Sequence, residues 1–153
     1  MGIKEFKIHE IGQIKGGADI TIQLKEEYRK GLLKVEEFSH INVLWWVNGH
    51  DKEDSRSICV TDLPYAENTE AGVFACRSEY RPNPIAVTVC PVKKIDREKG
   101  ILTISNIDAF DGSPVLDIKP YIPVCDRVEE FRIPGWFKGW PEWLPEDGLG
   151  LEY

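Results

Sequence analysis

Ile85-Ala-Val-Thr-Val-Cys-Pro-Val-Lys-Lys-Ile95, Asp96-Arg-Glu-Lys-Gly100 and Ile101-Leu-Thr-Ile-Ser-Asn-Ile107 form the stretch that decides the fold. Both flanking runs are rich in Val, Ile and Thr, side chains that suit a pleated, half-buried surface. The segment between them is charged and ends in glycine, which supplies the backbone freedom a hairpin turn needs. The expectation is a long antiparallel hairpin.

The pattern extends upstream. Asp19–Leu24 alternates, with Ile20, Ile22 and Leu24 on one face and Thr21 and Gln23 on the other. Phe6–Gly12 also alternates and reads as a half-buried strand, with Gly16-Gly17 as a tight turn before the next run. Lys25–Gly31 reads as a short helix closed by glycine. Phe38–Val47 is a nearly continuous apolar run, too short for a membrane and suited to a strand buried on both faces. Asn48-Gly49 ends it as a turn, and Asp51–Arg56 is a charged loop. Ser57–Thr61, Gly72–Arg77 and Val115–Ile118 read as short strands. Seven or so strands with one or two short helices predict a mainly all-β fold. Its form is a small closed or nearly closed antiparallel barrel, because closure removes exposed edges.

The chain has 153 residues, a net charge of −7 and 29% charged residues. That length suits one domain. The charge argues against a surface that is basic all over, while leaving room for a local basic groove. No apolar run reaches the roughly 18 residues of a membrane span. Met1–Glu10 is charged and alternating, unlike a signal peptide. A cytoplasmic protein with no membrane partner is expected. Cys59, Cys76, Cys90 and Cys125 form no CxxC pair, so they are expected to act mostly as small buried apolar residues. The spacing gives a thiol or metal protein no support. His9, His40 and His50 are scattered. The Glu37–His40 spacing is better explained by a structural histidine at a strand start, and no metal is expected.

Composition divides the chain at residue 125. Residues 1–125 carry the barrel pattern. Residues 126–153 hold three of the five tryptophans, three prolines, and seven acids against three bases. This extension is expected to be irregular, with aromatics packed on the barrel or on a partner subunit. Stacking of a substrate base on its tryptophans is the alternative. The first part is net −3 and the extension net −4. Any RNA-binding surface is therefore expected to be local and away from the tail.

Two stretches carry candidate chemistry. Gly72-Val-Phe-Ala-Cys-Arg-Ser-Glu-Tyr-Arg-Pro-Asn-Pro-Ile85 sets Arg77 and Arg81 in a loop stiffened by Pro82 and Pro84. Guanidinium groups suit carboxylates and phosphates. An ion pair within the fold explains the spacing equally well. Asn106-Ile-Asp-Ala-Phe-Asp-Gly-Ser-Pro-Val-Leu-Asp-Ile-Lys-Pro-Tyr-Ile-Pro123 gathers Asp108, Asp111, Asp117 and Lys119 around an Asp-Gly-Ser-Pro turn. Turn capping and local ion pairs account for single aspartates there.

Together, GVFACRSEYRPNPIA and DAFDGSPVLDIKPY resemble the signature of the TsaA-like (TrmO) family, and Phe38-Ser-His-Ile41 with Leu44-Trp-Trp46 resembles its FSHLW segment. The resemblance covers roughly residues 11–123. It implies a small antiparallel barrel that binds S-adenosylmethionine, usually as a homodimer with the cofactor near the subunit interface. It also implies methylation of the exocyclic nitrogen of a modified adenosine beside the tRNA anticodon. Carried over, Arg77 matches a cofactor-contacting arginine, and Asn48-Gly49 stands in place of a His-Gln pair that contacts cofactor. Val87 and Ser105, Asn106, Ile107 and Asp108 match further cofactor positions. Arg81, Asn83, Asp111, Asp117 and Lys119 lie in the motifs as substrate-binding or site-shaping residues. Asp108 and Asp111 are the candidates for a catalytic role, with no base assigned. The family's Pro-Arg-Gln loop is missing after Ile14, Ala86 replaces a glycine, and a longer C-terminal domain found in some members is replaced by the tail.

Methyl transfer from a sulfonium is an in-line displacement with a good leaving group, so alignment supplies most of the catalysis. Loops, backbone groups and one or two charged anchors suffice. The alternative is a non-enzymatic module on the same barrel, binding S-adenosylmethionine, another adenine ligand or a protein partner.

Overall fold

The computed structural model of the chain describes residues 2, 4–146 and 148. Among the described residues there are eight strands: β1 (Gly12–Lys15), β2 (Ile20–Leu24), β3 (His40–Trp46), β4 (Val60–Asp62), β5 (Glu70–Gly72), β6 (Ile85–Asp96), β7 (Ile101–Ile104) and β8 (Pro114–Pro120). Six close into an antiparallel barrel in the order β1-β2-β7-β6-β3-β8, and β4 and β5 form a separate two-stranded sheet. Two one-turn helices, α1 (Glu53–Arg56) and α2 (Pro123–Asp126), accompany them.

The long strand β6 makes closure possible. Its first half pairs with β3, from Ile85 opposite Trp46 to Pro91 opposite His40. Its second half pairs with β7, from Val92 opposite Ile104 to Asp96 opposite Ile101, with an irregularity between Val92 and Lys94. A bulge of this kind bends a strand and strengthens its twist. Pro91 stands where one partner ends and the other begins, and Pro114 and Pro120 stand at the ends of β8. A missing N–H is tolerated at such positions. The prolines of the barrel thus mark strand ends and a change of partner.

Inward residues alternate along each strand. Ile14, Ile22, Ile41, Val43, Cys90, Leu102, Ile104 and Val115 are buried completely or nearly so and form one core cluster. A barrel of so few strands is filled by side chains.

Several sequence expectations are corrected. Phe6–Gly12 is not a strand: pairing begins at Gly12, and Phe6 is 77% exposed. A Cβ at Gly12 would overlap the backbone of Gln23, so only glycine fits there. β3 is buried on its inner face and half-buried on its outer face. Lys25–Gly31 forms a 3-10 turn, Glu26–Leu32, that runs through the glycine. The Asp51–Arg56 loop contains α1. Gly72–Arg77 is not one strand: β5 ends at Gly72 and a 3-10 turn, Val73–Ala75, follows. Of the cysteines, only Cys90 is buried, while Cys59 and Cys125 are exposed. Among the described residues no helix is long and apolar enough to cross a membrane.

Candidate active site

The strand registers place both sequence motifs at one mouth of the barrel. Trp46 at the end of β3 lies opposite Ile85 at the start of β6, and Gln13 of β1 lies opposite Pro114 at the start of β8. Ile20 at the start of β2 lies opposite Ile104 at the end of β7. The loops leaving these ends carry Asn48-Gly49, the Arg-Pro-Asn-Pro segment, residues 105–108 and the Asp-Gly-Ser turn.

The Asp-Gly-Ser turn is laced to β1. Asp111 accepts a hydrogen bond at Oδ1 from the Gly16 N–H at 2.9 Å. The N–H groups of Gly112 and Ile14 donate to the carbonyls of Ile14 and Ser113 at 2.8 and 2.9 Å. Ser113 is fully buried, and its Oγ donates to Asn48 Oδ1 at 2.8 Å. Asp111 therefore has a positioning role in the turn.

The two arginines of the first motif divide the work. Arg81 donates to the carbonyls of Val73, Cys76 and Ser78 at 2.9, 3.2 and 3.2 Å, clamping its own loop. Arg77 is exposed and makes no hydrogen bond or ion pair among the described residues. Arg56 donates from Nε to the Pro82 carbonyl at 2.7 Å and from a terminal nitrogen to Asn83 Oδ1 at 3.2 Å. Its guanidinium lies 5.9 Å from the Trp46 ring centroid. Trp46 in turn donates to Asp51, which holds that carboxyl below the usual carboxylate range. His50 packs edge-on against Tyr80 at 5.0 Å, joining the Asn48-Gly49 turn to the arginine loop.

Residues 105–108 leave β7 alongside β6. The expected second hairpin arm, Ile101–Ile107, stops at Ile104 because Asn106 adopts φ 62°. Asn can occupy that left-handed region at modest cost. Its Nδ2 donates to the Val89 carbonyl at 2.9 Å. Ile107 joins the core, while Asp108 is exposed. Burial pushes the Cys90 thiol up to about 12, and the Asp108 charge adds to the rise.

Val87, Asp117 and Lys119 lie on an outer face of the barrel rather than in the loops of the mouth. Val87 lies opposite Leu44, which on its other side lies opposite Asp117. They form a row on the outer face of β6, β3 and β8, where Val87 is 48% exposed and Asp117 pairs with Lys119 at 2.9 Å. An open depression of about 720 Å³ lies at the other barrel end, near Gly12, Leu24, Arg29 and Ile101, and contains none of the predicted residues. Among the described residues no cluster of His, Cys, Asp and Glu could hold a metal.

Sequence reasoning missed Arg56, His50 and Tyr80 as loop supports. The one available signal for Arg56 was a cation and Trp46 on either side of a short polar segment. Nothing local distinguished buried Ser113 from an ordinary turn serine.

Fold and site define a small closed β-barrel with a loop-built polar mouth. The sequence profile of the tRNA-methyltransferase O N-terminal domain matches residues 4–127, and the chain belongs to this family. It is 39% identical over 118 residues to a probable S-adenosyl-L-methionine-binding protein of Pyrococcus abyssi, covering 77% of this chain and 60% of that protein. It is 36% identical over 104 residues to a tRNA (adenine(37)-N6)-methyltransferase of Mus musculus, covering 67% of this chain and 23% of the mouse protein. A crystal structure of TrmO is similar with a TM-score of 0.69 and 28% identity, covering 84% of this chain and 63% of that one. The chain thus spans less than two thirds of the length of each of these proteins.

Proposed function

We propose that the chain is an S-adenosylmethionine-dependent methyltransferase that methylates the exocyclic nitrogen of a modified adenosine next to the tRNA anticodon. The observation that carries this reading is the convergence of both motifs at one mouth with Arg77 left uncommitted. The likeness to the probable S-adenosyl-L-methionine-binding protein of Pyrococcus abyssi and to the tRNA (adenine(37)-N6)-methyltransferase of Mus musculus supports the cofactor and the acceptor.

The residues present fit the cofactor. Exposed Arg77 suits a carboxylate, and exposed Asp108 suits an ammonium or sulfonium charge. The Asn48–Ser113 pair gives the mouth fixed polar groups. When bound, the cofactor supplies an activated methyl group. The chain's own part is to hold both reactants in line and exclude water, which accounts for much of the barrier reduction in such a reaction. Asp108 is the better placed of the two candidate acids to receive a proton, because Asp111 is engaged by Gly16.

We also propose a cytoplasmic homodimer. The row Val87–Leu44–Asp117 supports it: exposed Val87 and half-buried Leu44 lie beside the strand end that follows Arg-Pro-Asn-Pro, with the Asp117–Lys119 pair next to them, so a second copy there would place the cofactor near the interface. Incubation with methyl-labelled S-adenosylmethionine and tRNA from cells lacking this modification tests the activity. Label in the modified adenosine supports it. Cofactor binding without transfer to RNA would favour a non-enzymatic module.

A further inference from the structure

The C-terminal extension returns to the mouth. After α2 it reaches Tyr65, in the loop between β4 and β5. Phe137 and Trp140 lie 5.5 and 5.4 Å from the Tyr65 ring centroid and 5.2 Å from each other. Burial raises the Tyr65 phenol, and the Cys76 thiol adds to the rise. Eight positions beyond Trp140, Gly148 arrives at Asn106. A Cβ at Gly148 would overlap Asn106 Oδ1, and Gly148 has φ 80°. Glycine meets both conditions without strain, whereas a side chain there would push against the Asn106 amide.

The extension is thus anchored on the loop between β4 and β5 and meets the segment 105–108 at the mouth. We propose that it is a wall of the cofactor site, and that Gly148 is a positioning residue that holds Asn106. This rests on the cofactor reading given above. Three observations favour a built wall over a displaceable plug. The anchor is an aromatic cluster in which Phe137 and Trp140 pack on each other and on Tyr65. Asn106, in an uncommon backbone conformation, is held by the Val89 carbonyl on one side and abutted by Gly148 on the other. The extension also carries seven acids against three bases, which suits a ligand with a cationic sulfonium.

The full-length chain and its Gly148→Val variant are titrated with S-adenosylhomocysteine by calorimetry, and each is digested briefly with trypsin with and without that ligand. The expected result is a Kd raised about tenfold or more in the variant. Without ligand, the variant's Tm should stay within about 2 °C of wild type, since a merely structural role would move Tm instead. In the wild-type chain the ligand should slow cleavage after Arg132 and Lys138. Equal affinities, or unchanged cleavage, would overturn the wall. Tighter binding by the variant, with ligand-accelerated cleavage, would make the extension a competitor of the cofactor and overturn it as well. If the variant does not fold, the wild-type cleavage pattern alone decides. Failure of wild type to bind the ligand defeats the cofactor reading and the wall together, whereas binding that ignores Gly148 defeats the wall alone.

Discussion

Ser113 donates a 2.8 Å hydrogen bond from Oγ to Asn48 Oδ1, across 65 residues of sequence. It ties the Asp-Gly-Ser turn to the turn that ends β3. Ser113 is buried and Asn48 partly exposed, so the two ends of the bond are not equivalent. Asn48→Ala leaves a buried hydroxyl without its partner and should cost about 1–3 kcal/mol. Ser113→Ala leaves an oxygen that water can reach and should cost about 1 kcal/mol. Urea unfolding of both variants and of the double variant measures the difference, and the double variant should cost less than the two single losses combined.

Arg81 and Arg77 should separate stability from binding. Arg81→Ala removes three hydrogen bonds to carbonyls of its own loop and should destabilise by about 2 kcal/mol. Arg81→Lys should not restore the loss, because an ammonium cannot span the three carbonyls as a planar fork does. Arg77→Ala should change stability by less than about 0.5 kcal/mol. Thermal or denaturant unfolding decides it.

Cys90 should be inert where Cys59 and Cys125 react. The reactive form is the thiolate, and burial pushes the Cys90 thiol from 9.0 up to about 12. Iodoacetamide at pH 8 followed by peptide mass spectrometry should label the two exposed cysteines and spare Cys90 until the chain unfolds. The sign of the pH effect follows from the raised value. Above pH 9 the unfolded chain loses this proton while the folded chain keeps it, so stability should be complete below about pH 9 and fall toward pH 12.

Tyr65→Ala should loosen the extension without opening the barrel. It removes ring contacts to Phe137 and Trp140, each worth about 0.5–1.5 kcal/mol beyond area burial. Trypsin should then cut after Lys138 about tenfold faster, while amide exchange in β3 and β6 stays slow.

The barrel was legible where patterning and turn chemistry agreed. The Ile85–Ile107 stretch declared a hairpin, and Asp19–Leu24 declared its inward face. The ends were not legible, because they depend on partners distant in sequence. Phe6 and Ile8 alternate like a strand yet remain exposed, since β1 begins pairing only at Gly12. Residues 105–107 have strand-like composition, but the left-handed Asn106 ends the ladder. At the site, the motifs located the mouth, and the structure sorted their members. Arg77 is uncommitted, Arg81 and Asp111 hold loops, and Val87, Asp117 and Lys119 occupy an outer face. A linear pattern does not show which arginine finds carbonyls, or that Gly148 meets Asn106.

Calorimetric titration of S-adenosylmethionine into wild type and Arg77→Ala tests whether the mouth holds the cofactor through Arg77. Wild type should bind in the micromolar range, and the variant at least about tenfold more weakly at unchanged stability. No heat with wild type at concentrations well above micromolar, or equal affinity in the two proteins, would contradict it.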